Sequence, residues 1–123
     1  MTIGFKIQIV NGKEIAEAIK KFGAEKIAKA NDAVHDAGFM VEDEIHMSIA
    51  GRRDEPTSVD TGAFQTSVRT NNSRFLISEV FTPLDYPIFL EYGTSKIEPR
   101  RHFGNSLARK YDDINNKIKV TIK

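Results

Sequence analysis

The chain has 123 residues, a net charge of +1 and no cysteine. That length fits a single domain, 1–123, with one core. The charge balance provides no global field for nucleic acid, and the lack of thiols excludes disulfides, thiolate metal sites and cysteine nucleophiles. No apolar run approaches the length of a membrane span. The first residues carry neither the basic region nor the apolar core of a signal peptide, so none is expected.

Ile3, Phe5, Ile7 and Ile9 alternate with Gly4, Lys6, Gln8 and Val10, the period of a strand with one buried face. Asn11-Gly12 ends it. Ile15, Ile19 and Phe22 then open a helical pattern, and Gly23 is placed to interrupt or kink it. The stripe resumes with Ile27, Ala30, Val34, Ala37, Val41 and Ile45. One helix over 24–50 would be about 40 Å long. Gly38 costs about 1 kcal/mol against Ala inside a helix, so it is expected to mark a close approach. Glu42 and His46, four apart, make half a metal site without an evident second half. Asp43 and Glu44 are assigned to a solvated face. No metal and no cofactor are expected.

Gly51 to Ser58 is a polar breaker segment, read as an exposed, mobile loop. Asp60-Thr61-Gly62-Ala63 spells the tetrapeptide of aspartic proteases. Apolar strands do not flank it and a long helix precedes it, so a turn is the better reading, with Gly62 supplying the φ that starts a strand. Residues 62–71 and 73–82 read as a β-hairpin turning at Asn71-Asn72-Ser73, and Pro83 stops the second strand.

Tyr86 to Tyr92 reads as one or two helical turns closed by Gly93, and Thr94 to Pro99 as a loop. Glu91, among Phe89, Leu90 and Tyr92, is expected to be partly buried and paired with Arg100 or Arg101. Lys96, Arg100, Arg101 and His102 form a basic patch beside Phe103. A solvated loop is the preferred reading of it. The alternative is a small nucleic-acid-binding domain using the 96–102 loop. Phe103, Leu107, Tyr111, Ile114 and Ile118 mark a second amphipathic helix, and residues 117–123 alternate like a final strand. The expected class is α+β: a small, mainly antiparallel sheet of three to four strands, one long helix packed across it and a second, C-terminal helix.

Several of these segments together resemble a known family. They are Val59 to Gly62 followed by Phe64, Ser67 and Val68; Tyr86, Phe89, Glu91, Tyr92, Gly93 and Thr94; and Pro99 with Phe103, Leu107 and Ala108. In this order they resemble the neck or tail-completion proteins of long-tailed phages, the minor tail component of Hong Kong-97-like phages. The resemblance covers roughly residues 15 to 115. It departs from the family at Pro87, where a small residue is usual, and at Arg101-His102.

The resemblance implies a non-enzymatic virion subunit at the head–tail junction, assembled in the host cytoplasm. Its partners would be copies of itself in a ring, an adaptor or connector on one side, and a tail-tube or tail-terminator protein on the other. The genome would pass through the channel without specific binding, and no membrane is involved. Asp60, Thr61, Gly62, Tyr86, Glu91, Tyr92, Gly93, Thr94, Pro99, Arg100 and Phe103 would serve as structural and interface residues. The free chain is expected to be largely monomeric or weakly associated.

Overall fold

A computed structural model describes the backbone of residues 5–10, 12–58 and 62–122, and the side chains of residues 20, 23, 25–58 and 62–121. The elements in chain order are β1 Phe5–Val10, α1 Gly12–Ile49, α2 Ala63–Ser67, β2 Arg69–Asn71, β3 Ile77–Thr82, α3 Pro87–Tyr92 and α4 His102–Ile122. The sheet runs β1-β3-β2. β3 pairs antiparallel with β1, Phe5 opposite Thr82 and Val10 opposite Ile77. On its other side it pairs antiparallel with β2, Arg69 opposite Phe81. The α+β class, the antiparallel sheet, the long helix and the C-terminal helix are as expected. Which face β1 buries lies outside the described residues.

Ile27, Ala30, Val34, Ala37, Val41 and Ile45 are all buried, so the apolar stripe of α1 is the core row. Gly23 breaks the helix with φ 79 and ψ 179. The core continues through Ile49, Phe64, Val68, Val80, Phe103, Ile114 and Ile118. Gly38 is the point of close approach. A Cβ built there would overlap the Ser78 side chain and lie 3.0 Å from Thr70 Cγ2.

That contact explains the inward face of β3. Ser78, Val80 and Thr82 are fully buried, whereas Ile77 and Phe81 are half-buried on the other face. A helix this close leaves room only for small side chains. Their hydroxyls are satisfied: Ser78 Oγ donates to Asn72 Oδ1 at 2.6 Å, and Ser67 and Thr82 share a bond at 2.7 Å.

Two expected elements take another form. Residues 62–71 are not one strand but α2 followed by the short β2. Gly62 (φ 79) therefore starts a helical turn instead of a strand. Thr66 Oγ1 donates to Gly62 O at 2.5 Å and Ser67 Oγ to Phe64 O at 2.7 Å, hydroxyl bonds that belong to a helical turn. Residues 117–122 extend α4, because Ile118 continues the buried row of Ile114 against the core. Packing there overrides the alternating pattern. Tyr111, placed on the apolar stripe by spacing, is 60% exposed.

Candidate functional site

The segments singled out in the sequence meet around Phe64. Its ring stacks on Phe103 (centroids 6.4 Å, 9° between planes). It takes Tyr86 edge-on at 6.1 Å and His102 edge-on at 5.9 Å. One aromatic at the start of α2 therefore holds the beginnings of α3 and α4 together. Gly62 adjoins this centre. Asp60 and Thr61 lie outside the described residues.

Glu91 is buried, but not by the expected pairing with Arg100 or Arg101. Its Oε1 accepts the backbone N–H of Phe103 at 2.9 Å and its Oε2 that of Gly104 at 2.8 Å. The first N–H groups of a helix have no partner within it, and the positive end of the helix dipole favours a carboxylate there. Glu91 therefore fixes the start of α4 from α3. Arg100 instead donates from Nη1 to Thr57 O at 2.9 Å and to Ser58 Oγ at 2.8 Å.

The loop between α3 and α4 explains three more of the singled-out residues. Gly93 has φ 79, and a Cβ there would sit 2.8 Å from both Ile97 O and Pro99 Cδ. Both its conformation and the space around it therefore demand glycine. Thr94 Oγ1 accepts Lys96 N–H at 3.2 Å and Ile97 N–H at 3.1 Å, and Thr94 N–H donates to Ile97 O at 2.8 Å. Arg100 N–H returns the chain to Leu90 O at 2.7 Å.

The segment 51–58 is not the free loop expected. Residues 51–54 are exposed, but Glu55 is 5% exposed and tied down. Arg109 Nη2 donates to Glu55 Oε1 at 2.8 Å and its Nη1 to Oε2 at 2.9 Å. Asn105 Nδ2 also donates to Oε2, at 3.2 Å, and Ser48 Oγ donates to Oε1. Glu44, assigned to the solvated face, is 4% exposed; it accepts Arg53 Nε at 2.6 Å and Arg109 Nε at 2.7 Å. Burial raises the Glu55 pKa, but the bonds from Arg109, Ser48 and Asn105 outweigh it and hold the carboxyl at about 2. The bond from Arg53 lowers Glu44 against the effect of burial. The bond to Glu55 raises Arg109 above its usual range.

His102 is the other departure. Instead of belonging to an exposed basic patch it is 1% exposed. Its Nδ1 lies 2.7 Å from Ser48 Oγ and its Nε2 2.7 Å from Ser58 Oγ. The donors and acceptors along this chain have one consistent arrangement. Ser48 gives its only proton to Glu55, so His102 Nδ1–H donates to Ser48; Nε2 is then the acceptor for Ser58 Oγ–H. This is a neutral imidazole. Burial, reinforced by the charges of Arg100 and Arg109 and opposed by that of Glu55, lowers its pKa to about 4.

A serine on Nε2 of an acid-linked histidine is also the arrangement of a hydrolytic relay. Two features set this arrangement apart from such a relay. Arg100 occupies the Ser58 oxygen, and a base with a pKa near 4 takes up protons poorly at neutral pH. The chain Arg100–Ser58–His102–Ser48–Glu55–Arg109 fastens the 51–58 segment to α1 and α4. Glu44, Glu55, Ser48, Ser58 and Arg109 were not legible as a group. The available signal was phase: Glu44 and Ser48 follow Ala37 and Val41 on the buried row of α1.

Glu42, Asp43 and His46 bring their ligand atoms within 4.8 Å of one another. Glu42 Oε1 accepts Thr70 Oγ1–H at 3.1 Å and His46 Nε2 donates to Val68 O at 3.2 Å, so two of the three residues bind the segment that carries β2.

One surface stands out. Tyr86, Phe89 and Tyr92, spaced by three along α3, are 44%, 54% and 56% exposed, while Pro87 and Glu91 face inward. In the loop that follows, Ile97 is also exposed, with the exposed Lys96 and Glu98 beside it. Among the described residues no helix is long and apolar enough to cross a membrane. Comparison of the chain with protein-family models, with curated proteins and with solved structures finds no match.

Proposed function

We propose that this chain is a structural subunit of the head–tail junction of a long-tailed phage or prophage, forming part of a ring that joins or completes the tail. The observation that carries the reading is the aromatic face of α3. Phe89 and Tyr92 stand outward on a six-residue helix whose inward side is fixed by Glu91, so exposed apolar area is presented on a rigid seat. Such a surface suits assembly with another protein. The order of motifs that resembles the neck family supports the same reading, since Phe64, Tyr86, Glu91 and Phe103 from those motifs build this seat.

In this role the chain is not an enzyme and needs no cofactor. Its partners are copies of itself, a head-side adaptor or connector and a tail-side tube or terminator protein, and the genome passes without specific binding. The protein belongs in the virion, after assembly in the host cytoplasm. The nucleic-acid-binding alternative is less well supported. His102 is buried and Arg100 is held by Thr57 and Ser58, which leaves Lys96 and Arg101 of the basic loop.

Disruption of the gene in a virus or lysogen that carries it tests the reading. Filled heads and tails that fail to join are expected. Normal yields of joined, infectious particles would overturn it.

A further inference from the structure

Gly23 divides α1 in a way that leaves a second form open to it. The chain is helical on either side, and Gly23 alone departs, with φ 79 and ψ 179. That region of backbone is open essentially to glycine only. A Cβ built on Gly23 meets nothing within 4 Å, so the backbone angles alone call for glycine there. Turning this one residue to helical angles would make α1 a single straight helix.

The kink decides where β1 lies. Leu76 N–H donates to Asn31 Oδ1 at 2.7 Å, which sets the start of β3 level with Asn31 on α1. Val10, the last residue of β1, is opposite Ile77 at that same end. In a straight α1, Gly12 would stand about 28 Å from Asn31 along the axis. Only position 11 separates Gly12 from β1, too short a link to span that distance. The straight form therefore takes β1 off its own β3 and leaves that edge of β3 open.

Resting on the ring reading above, we propose that Gly23 is the hinge of a strand exchange: α1 straightens, and β1 of one copy pairs with β3 of the next. A second copy is the occupant this edge selects. Its β1 brings the same ladder the edge already carries, from Phe5 opposite Thr82 to Val10 opposite Ile77. The exchange loses no sheet bond and restores helical bonds across residue 23. In the free chain the closed form prevails, because its own β1 is tethered at high effective concentration. Each copy gives one β1 and receives one, so the exchange runs head to tail until rotation closes a ring.

Gly23→Ala tests the hinge, since it disfavours the kink through the backbone and adds no clash. Sedimentation of the full chain at micromolar concentration should show a several-fold rise in average mass over the parent. Gln8 and Glu79 are directly opposite in the ladder, so Gln8→Cys with Glu79→Cys reports which chain supplies the strand. The absence of native cysteine makes this the sole disulfide. With Gly23→Ala the oxidised pair should give a covalent ladder extending past the dimer; with Gly23 kept it should close within one chain at micromolar concentration. A Gly23→Ala chain that stays monomeric, or multimers whose cysteines are joined within each chain, would overturn the exchange. If Gly23→Ala does not fold, the pair with Gly23 kept decides at millimolar concentration. Links between copies are expected there, and links only within chains would overturn the proposal. Either failure leaves the ring reading standing, because the joining of heads to tails tests that separately. Normal particles after gene disruption would remove the ring and leave an exchange seen as a cysteine ladder intact.

Discussion

Glu91 and Phe103 are joined end to end: the Glu91 carboxylate oxygen lies 2.9 Å from the Phe103 backbone nitrogen. The bond crosses from α3 to the first turn of α4 and makes the start of α4 depend on a residue twelve positions earlier. Phe103 also stacks on Phe64, so this one capping bond sets the spacing of three elements.

Removing that carboxylate leaves N–H groups at the start of α4 without an acceptor. Leaving a buried donor unsatisfied costs about 1–3 kcal/mol, so Glu91→Ala should lose that much in urea unfolding. Glu91→Gln keeps one acceptor oxygen and should lose less. Equal stability of Glu91→Ala and the parent chain would remove the cap from the account.

Gly38→Ala sets two effects against each other. The helix gains about 1 kcal/mol in propensity, whereas overpacking against Ser78 costs about 1–3 kcal/mol. The clash involves buried atoms on both sides, so the net effect should be destabilising. Ser78→Gly in the Gly38→Ala background should recover part of the loss. A more stable Gly38→Ala protein in thermal melts would show that α1 and β3 are further apart than described.

Stability should fall with acid through His102. Its folded pKa of about 4 lies below the ordinary 6.5, so the unfolded chain binds the proton first as pH drops. The contribution is complete above the unfolded pKa and is lost toward the folded one, with a slope of about 1 kcal/mol per pH unit between about pH 6.5 and pH 4.5. Glu55, held at about 2, adds its own loss only below its ordinary 4.5. Urea midpoints across this range should therefore decline in the parent chain and flatten in His102→Gln. An unchanged slope in that variant would place the titrating group elsewhere.

Arg109 is shared by Glu44 and Glu55, both nearly buried. Arg109→Met should cost about 3 kcal/mol, because breaking a buried pair strands the remaining charge. Combining it with Glu55→Gln should cost less than the two single losses added, the sign of direct coupling. Strict additivity in chemical denaturation would argue that the two residues act separately.

How far the sequence reached depends on which interaction decided each element. The α1 row was legible because one period of apolar residues runs along it, and Gly23, Gly38 and Gly93 were legible because glycine carries a backbone meaning. The 62–71 and 117–123 segments were misread for the opposite reason. Short alternating runs fit either a strand or a helix, and the choice came from the Phe64 cluster and from the Ile114–Ile118 row. The Glu91 pairing was misassigned because a carboxylate amid apolar neighbours suggests a cation, whereas a helix start twelve residues on supplied the donors. The His102 chain joins residues up to 54 positions apart, which no local pattern can show.

Electron cryomicroscopy of the neck of a particle encoded alongside this gene tests the central claim most directly. The account predicts a ring of copies of this fold between head and tail, with Phe89 and Tyr92 of each copy covered by a neighbouring subunit. A neck that lacks the chain, or copies whose α3 faces point into solvent, would contradict it.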